Sequence, residues 1–205
     1  MAEARARDLV LASGSRSRRQ MLEAAGASFA VEPAEVDENA IRETLQAGDN
    51  AIDPADVAEV LARAKAEAVS RKRPDALVIG ADQVLALDDE IFEKPRGLDG
   101  ARAHLRRLRG RAHQLHSAVV LAERGEVVWS YADTADLTMR TFSDQFLDDY
   151  LRRAGPIVCE SVGAYQLEGL GIQLFQRIEG DYFTILGLPL LPLLAELRTR
   201  GALAA

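Results

Sequence analysis

Apolar positions along this chain fall into two patterns: short continuous runs and stripes at helical spacing. Leu9–Ala12 is a short apolar run that ends in the small-residue turn Ser13-Gly14-Ser15. A helix is predicted from about Ser17 to Ala25, stopped by Gly26. Phe29–Val31 reads as a second strand and leads into the acidic segment Glu35-Val36-Asp37-Glu38. Residues 54–72 carry Val57, Val60, Leu61, Ala64 and Ala68 on one stripe behind Pro54, which predicts a long amphipathic helix. Ala76–Ala81 is apolar throughout, the pattern of a strand buried on both faces. Val84–Leu87, the turn Asp88-Asp89 and Ile91-Phe92 then predict a hairpin. Gly100–Arg109 reads as a basic helix, and Leu115–Ala122 and Val127–Tyr131 as strands. Ser143–Ala154 reads as a helix broken by Gly155-Pro156. Ala164–Leu186 is punctuated by glycine and is expected to be rich in strands, and Leu190–Arg200 closes as a helix before Gly201. Strands mixed with helices around one fully apolar strand indicate an α/β or α+β sheet protein.

Composition narrows the function classes. The chain has 205 residues, without repeats or a linker rich in Gly, Pro or Ser, and is read as a single domain spanning 1–205. Acidic residues number 32 against 25 basic ones, so a nucleic-acid polymer is disfavoured as the main partner. A single cysteine excludes an internal disulfide framework and a cysteine-based zinc cluster. No apolar run approaches the ~18 residues of a membrane span, and the start MAEARARDLVLASGS lacks a secretory pattern. The expectation is a cytoplasmic, reduced protein with no membrane partner.

Several positions carry chemistry. Small residues between a strand and a helix leave backbone N–H groups free, so Ser13-Gly14-Ser15 suits a phosphate, with Arg18 as a forked donor behind it. The same pattern also describes a plain N-cap with surface arginines. Lys65 falls at the edge of the apolar stripe near Leu61 and Val69, where a lysine either snorkels or reaches into a cleft. Asp82 follows the most apolar strand, the position from which a carboxylate can bind Mg²⁺ or take a proton from water. It equally suits a turn. Glu35, Asp37 and Glu38 offer further carboxylates or a solvated loop. Lys94, in Glu93-Lys94-Pro95, can contact phosphate.

Other features argue for ordinary structure. His113 and His116 lack a third ligand for zinc. Cys159 has no nearby histidine and reads as a packed thiol. Arg102, Arg106, Arg107, Arg109 and Arg111 read as a solvated helix face. Leu188–Leu197, interrupted by Pro189 and Pro192, is core or dimer surface.

Taken in order, these pieces resemble the Maf family of nucleoside triphosphate pyrophosphatases. Leu11-Ala12-Ser13-Gly14-Ser15 with Arg18-Arg19 is similar to the family's N-terminal signature, and Glu35-Val36-Asp37-Glu38 to its acidic motif. Leu61-Ala62 through Lys65-Ala66, Gly80-Ala81-Asp82-Gln83-Val84 and Lys94-Pro95 resemble the central blocks. Gly163-Ala164-Tyr165, Glu168-Gly169, Gly180-Asp181-Tyr182 and Gly187-Leu188-Pro189 resemble the C-terminal ones. Two departures stand out: Arg16-Ser17 where much of the family has Pro-Arg, and Glu93 in place of glycine before Lys94. Members acting on dTTP and UTP carry Arg, Thr and Gln at the positions of Ser17, Gln83 and Glu168. Gln83, Glu168 and the run from Glu168 to Arg177 instead resemble the branch preferring 7-methyl-GTP.

The resemblance implies an α/β fold, with a mixed central sheet, flanking helices and two lobes around a nucleotide-binding cleft. It implies hydrolysis of a nucleoside triphosphate between the α and β phosphates. Asp82 becomes the general base or the carboxylate holding a metal-bound water, and Glu35 a candidate metal ligand. Ser13, Arg18, Lys65 and Lys94 are implied to hold phosphates, and Ser17, Gln83 and Glu168 to tune base choice. The implied cofactor is a divalent metal, Mg²⁺ first and Mn²⁺ or Co²⁺ otherwise, and the implied assembly a homodimer. A dTTP/UTP pyrophosphatase, or a nucleotide-sensing regulator of septum formation with little turnover, are the competing expectations.

Overall fold

A computed structural model describes residues 8–46, 52–88 and 90–204. The first seven residues, where a secretory leader would begin, and Asp89 of the predicted turn lie outside the described residues. In chain order the elements are β1 (Leu9–Leu11), α1 (Arg16–Ala24), β2 (Ala30–Val31), α2 (Glu38–Gln46) and α3 (Pro54–Lys72). Then come β3 (Leu77–Leu87), β4 (Glu90–Phe92), α4 (Gly97–Leu108), β5 (Ala112–Glu123) and β6 (Glu126–Met139). The last third holds α5 (Asp144–Ala154), two 3-10 helices (Gly155–Glu160 and Leu170–Leu174), β7 (Phe175–Glu179), α6 (Tyr182–Ile185) and α7 (Leu190–Thr199).

Among the described residues the strands form one seven-stranded mixed sheet in the order β2-β1-β3-β5-β6-β7, with β4 paired to β3. β1 runs parallel to β2 and β3, whereas β3-β5, β5-β6 and β6-β7 are antiparallel. Four apolar clusters among the described residues fill the space around the sheet, the smallest of them Val10, Ala12, Val69, Ala76 and Val78. Met21 and Leu22 of α1 and Leu193 and Leu197 of α7 pack with Leu11, Leu77, Ile79 and Leu121 on one face. Val57, Leu61, Ala62 and Ala66 of α3 meet Val84, Ala118 and Val120 on the other. Farther along, α4 and α5 close over Leu85, Leu115 and Leu137 through Leu105, Leu108, Leu147 and Leu151.

α3 is built as its sequence directs. The Asp53 side chain caps it by accepting from Ala55 N at 2.9 Å, Pro54 sits in its first turn, and Arg71 and Lys72 occupy the last. Its buried stripe is rotated from the expected one: Ala58, Ala62, Ala66 and Val69 are buried while Val60 is 37% exposed. Small residues on that face let the helix lie close against β3, where Gly80 has no side chain to hold it off. A Cβ on Gly80 would clash with Ala62 O and stand 2.7 Å from both N and Cβ of Ala66.

Three expectations change. Asp82 does not end its strand, because β3 continues to Leu87 under antiparallel pairing with β4 and β5. The strand that stops is β1, whose Leu11 pairs with Ile79, so Asp82 lies beyond the carboxyl end of its parallel neighbour. Residues 164–186 hold a single strand, β7, among turns, a 3-10 helix and α6, since their glycines serve tight backbone approaches: a Cβ at Gly171 would press on the backbone of Gln166. The acidic segment runs into α2, which packs Ile41 and Leu45 on the α3 cluster. Leu188, Leu190, Leu193, Leu194 and Leu197 are core, with Leu191 59% exposed. Each of Arg102, Arg106, Arg107, Arg109 and Arg111 is ion-paired, to Asp148, Asp144, Glu90, Asp144 and Asp88 respectively. That face is charge-balanced, not a basic patch.

Candidate active site

Period-two alternation along β3 sends successive side chains to opposite faces. Asp82 therefore shares the α3 side with Gly80 and Val84, while Gln83 turns toward the last residues of α6. Both border a cleft of about 920 Å³, large enough for a nucleotide. Ser13, Ser17, Arg18, Lys65, Asp82, Gln83, Lys94 and Glu168 all line it. Glu35 does not. Its side chain is 86% exposed and bonds Lys72 Nζ at 2.9 Å, because the extended segment before α2 is directed to the last turn of α3. Asp37 is spent on the start of α2, accepting from Ala40 N at 3.0 Å. The carboxylate of the acidic segment that reaches the cleft is Glu38.

Lys65 Nζ lies 2.6 Å from Asp82 Oδ1 and 2.8 Å from Glu38 Oε1, joining the two carboxylates. Burial raises the Glu38 pKa, but the Lys65 hydrogen bond and the nearby charges of Lys65, Arg42 and Lys94 outweigh it and hold the group below its ordinary range. Asp82 is 5% exposed, and its Oδ2 is buried without a hydrogen-bond partner. Lys94 forms no ion pair with another described residue. Partial burial, then repulsion by Arg18 and Lys65, lowers its pKa below the usual lysine value.

Arg18 fastens the site together. Its Nε donates to Gly187 O at 2.8 Å, and its Nη1 donates to Ala81 O at 2.8 Å and Ser13 Oγ at 3.2 Å. One guanidinium thus ties the β1 turn, β3 and the turn after α6, leaving Nη2 for the cleft. Burial lowers its pKa, against the opposing charges of Asp82 and Glu38. Arg19 faces away and pairs with Glu23 at 2.7 Å. The Ser13 turn works as an N-cap too, since Ser15 Oγ accepts from Arg18 N at 3.4 Å.

Gln83 is committed on one side only. Its Nε2 donates toward Ser117 Oγ at 3.0 Å, Thr184 O at 3.1 Å and Ile185 O at 3.0 Å. The carbonyl partners fix the orientation of the amide, so Oε1 is the atom left on the Gly187 side. Thr184 is held in turn by Asp133 Oδ2 at 2.8 Å, and Asp181 caps α6.

The opposite wall comes from residues 159–168. Ser161 Oγ donates to Tyr165 O at 2.6 Å and accepts from Tyr165 N at 3.1 Å, and Tyr150 donates to Ala164 O at 3.2 Å. Ala164 takes a left-handed φ of 58°, and the Tyr165 hydroxyl meets His113 Nε2 at 2.8 Å. This stapled turn presents Gln166, Leu167 and Glu168 to the cleft. His116 is used within the sheet, with Nδ1 2.9 Å from Thr134 Oγ1.

A family model described as Maf-like protein matches residues 8–200. The chain belongs to the Maf family. Similar proteins include the 7-methyl-GTP pyrophosphatase of Mesorhizobium japonicum, 55% identical over 195 residues, with 95% of this chain and 97% of that protein covered. The 7-methyl-GTP pyrophosphatase of Rhizobium meliloti is 53% identical, covering 96% and 98%. The nucleoside triphosphate pyrophosphatase of Paramagnetospirillum magneticum is 55% identical, covering 95% and 99%. Most of the Maf motifs that are scattered in sequence meet here at one cleft, Gly180-Asp181-Tyr182 instead opening α6. The turn after β1, the lysine of α3, the aspartate of β3, Lys94 and the blocks around Glu168 and Gly187 all line it. Arg42 lines it as well, and sequence reasoning missed it. Its signal was the apolar pair Ile41 and Leu45, four apart, which marks α2 and puts Arg42 four residues after Glu38.

Proposed function

We propose that this chain hydrolyses nucleoside triphosphates between the α and β phosphates, with 7-methyl-GTP preferred, releasing nucleoside monophosphate and pyrophosphate. The observation that carries the base preference is the orientation of Gln83. Its amide hydrogens are spent on Ser117, Thr184 and Ile185, so it offers an incoming base only an acceptor. Glu168 on the opposite wall also offers only acceptors. Guanine brings two donors on one edge, N1–H and the exocyclic amine, and methylation at N7 adds positive charge that a carboxylate complements. Uracil and thymine bring one N–H between two carbonyls and find no donor in these two groups.

At the other end Lys94, Lys65 and Nη2 of Arg18 face a polyanion, and departure of pyrophosphate requires that charge to be balanced. Water attacks the α phosphorus; the new P–O bond forms as the Pα–O bond to the bridging oxygen breaks, and that electron pair leaves with pyrophosphate. Asp82 takes the proton from the attacking water. Ser13 and the N–H groups before α1 orient the phosphate chain. A divalent cation, Mg²⁺ or else Mn²⁺ or Co²⁺, fits the donors present: Asp82 Oδ2 is a buried acceptor without a partner, and Glu38 is a second hard oxygen donor at the same lysine. Asp82 and Glu38 are the residues that would hold it. When bound it supplies further neutralisation of phosphate oxygens.

The test is turnover of the purified protein on 7-methyl-GTP, GTP, dTTP, UTP, CTP and ATP, reading phosphate with and without added inorganic pyrophosphatase. Phosphate only with the helper enzyme, and most from 7-methyl-GTP, is expected. dTTP or UTP as best substrate overturns the base preference, and phosphate released without the helper overturns the α–β cleavage.

A further inference from the structure

We infer that Arg42 is a phosphate-binding residue of this site, closing on the phosphate chain of the nucleotide; this rests on the proposed triphosphate reaction. The cations nearest Asp82 are not equally free. Lys65 is engaged by short bonds to Asp82 and Glu38, and Arg18 has Nε and Nη1 bound to two backbone carbonyls and a serine. Arg42 is held loosely. Its Nη2 is 3.5 Å from Glu38 Oε2 and 3.9 Å from Asp82 Oδ2, both beyond the ~2.7–2.9 Å of a good charge-assisted bond.

Its Nε is buried with no partner, and the side chain is only 16% exposed. A guanidinium removed from water with a donor unspent is costly unless something supplies acceptors. The group it faces, Asp82 Oδ2, is an orphan as well. The 3.9 Å between them is too long for direct bonding, but both line the cleft, where an oxygen-rich ligand can engage the arginine fork. Planar, bidentate recognition of phosphate oxygens is the use for which arginine is suited and lysine is not. Arg42 reaches this place because α2 packs Ile41 and Leu45 on the α3 cluster. A phosphate chain takes the donors of Arg42 that the protein leaves free, and leaves Lys65 with Asp82.

The test is calorimetric binding of inorganic pyrophosphate and, separately, of 7-methylguanosine without phosphates, to wild type, Arg42→Ala and Arg42→Lys. Loss of a charged hydrogen bond predicts about 10- to 100-fold weaker pyrophosphate binding in R42A, with a smaller loss in R42K and no change for the nucleoside. If R42A fails to fold, R42K decides by the same comparison. Unchanged pyrophosphate affinity, or equal losses for pyrophosphate and nucleoside, overturns the inference. A wild type that binds pyrophosphate through Arg42 yet hydrolyses no triphosphate refutes the proposed reaction alone.

Discussion

Lys65 Nζ stands 2.6 Å from Asp82 Oδ1, a contact between the middle of α3 and the middle of β3. Both side chains are largely buried, at 12% and 8% exposure, so each is needed to make the other tolerable. Lys65→Met should therefore cost about 3–5 kcal/mol of stability, because it takes the one close partner from the buried Asp82 carboxylate. Asp82→Asn keeps the shape and should lose turnover about 100-fold or more, the scale of a lost general base. The double variant should recover part of the stability lost in K65M. Urea denaturation of all three, beside their kcat values, checks this; additive stability losses would contradict the coupling.

The approach of α3 to β3 depends on Gly80. An added methyl group there meets Ala62 O, about one turn before Lys65, and the backbone N and Cβ of Ala66, the residue next to it. Gly80→Ala should push the helix outward, costing about 1–3 kcal/mol. At this chain length that corresponds to a drop of roughly 2–12 °C in Tm. Turnover should fall below what stability alone explains, because Lys65 moves with the helix. Calorimetry beside kcat at a temperature where the variant is folded measures both.

Lys94 gives the reaction an alkaline limit. Its pKa is lowered by partial burial and by Arg18 and Lys65, so its charge is lost at a lower pH than that of a free lysine. Activity that needs the cation should decline as pH rises through that lowered value. Lys94→Arg should carry the alkaline limb to higher pH, since arginine stays charged. A pH profile of kcat/KM from 7 to 10.5 on both proteins is the measurement, and coincident limbs would sink the assignment.

His113 sets an acid limit on stability. Burial lowers its pKa to about 4, against 6.5 unfolded. Below the unfolded value the denatured chain takes up a proton that the native chain refuses, so stability present above about pH 6.5 is lost as pH falls toward 4. The full span is worth about 3 kcal/mol. His113→Asn should flatten this part of the stability curve while costing stability at pH 7 through the lost Tyr165 bond. Denaturant melts between pH 4 and 8 decide it.

Much of this was legible in the sequence, for reasons that differ by residue. Strands such as β3 are apolar enough to announce themselves, and α3 carries its own cap and its own stripe. Ser13, Arg18, Lys65, Asp82, Gln83, Lys94 and Glu168 stood out by residue type and by ordered resemblance, and all face one cleft. What sequence could not supply was direction. Glu35 and Glu38 are three apart in one acidic run, yet one salt-bridges Lys72 on the surface and the other meets Lys65. The segment from 164 to 186 reads as strands set between glycines, while its turns rest on contacts such as those of Ser161 with Tyr165. Arg42 was hidden in a short helix with a mostly polar sequence.

The most direct measurement is the identity of the products. Phosphorus NMR of 7-methyl-GTP incubated with the wild-type protein and Mg²⁺ should show the monophosphate and pyrophosphate growing together, and Asp82→Asn, folded by circular dichroism, should leave the triphosphate nearly intact. Appearance of diphosphate and free phosphate, or full activity in D82N, would contradict α–β cleavage with Asp82 as its base.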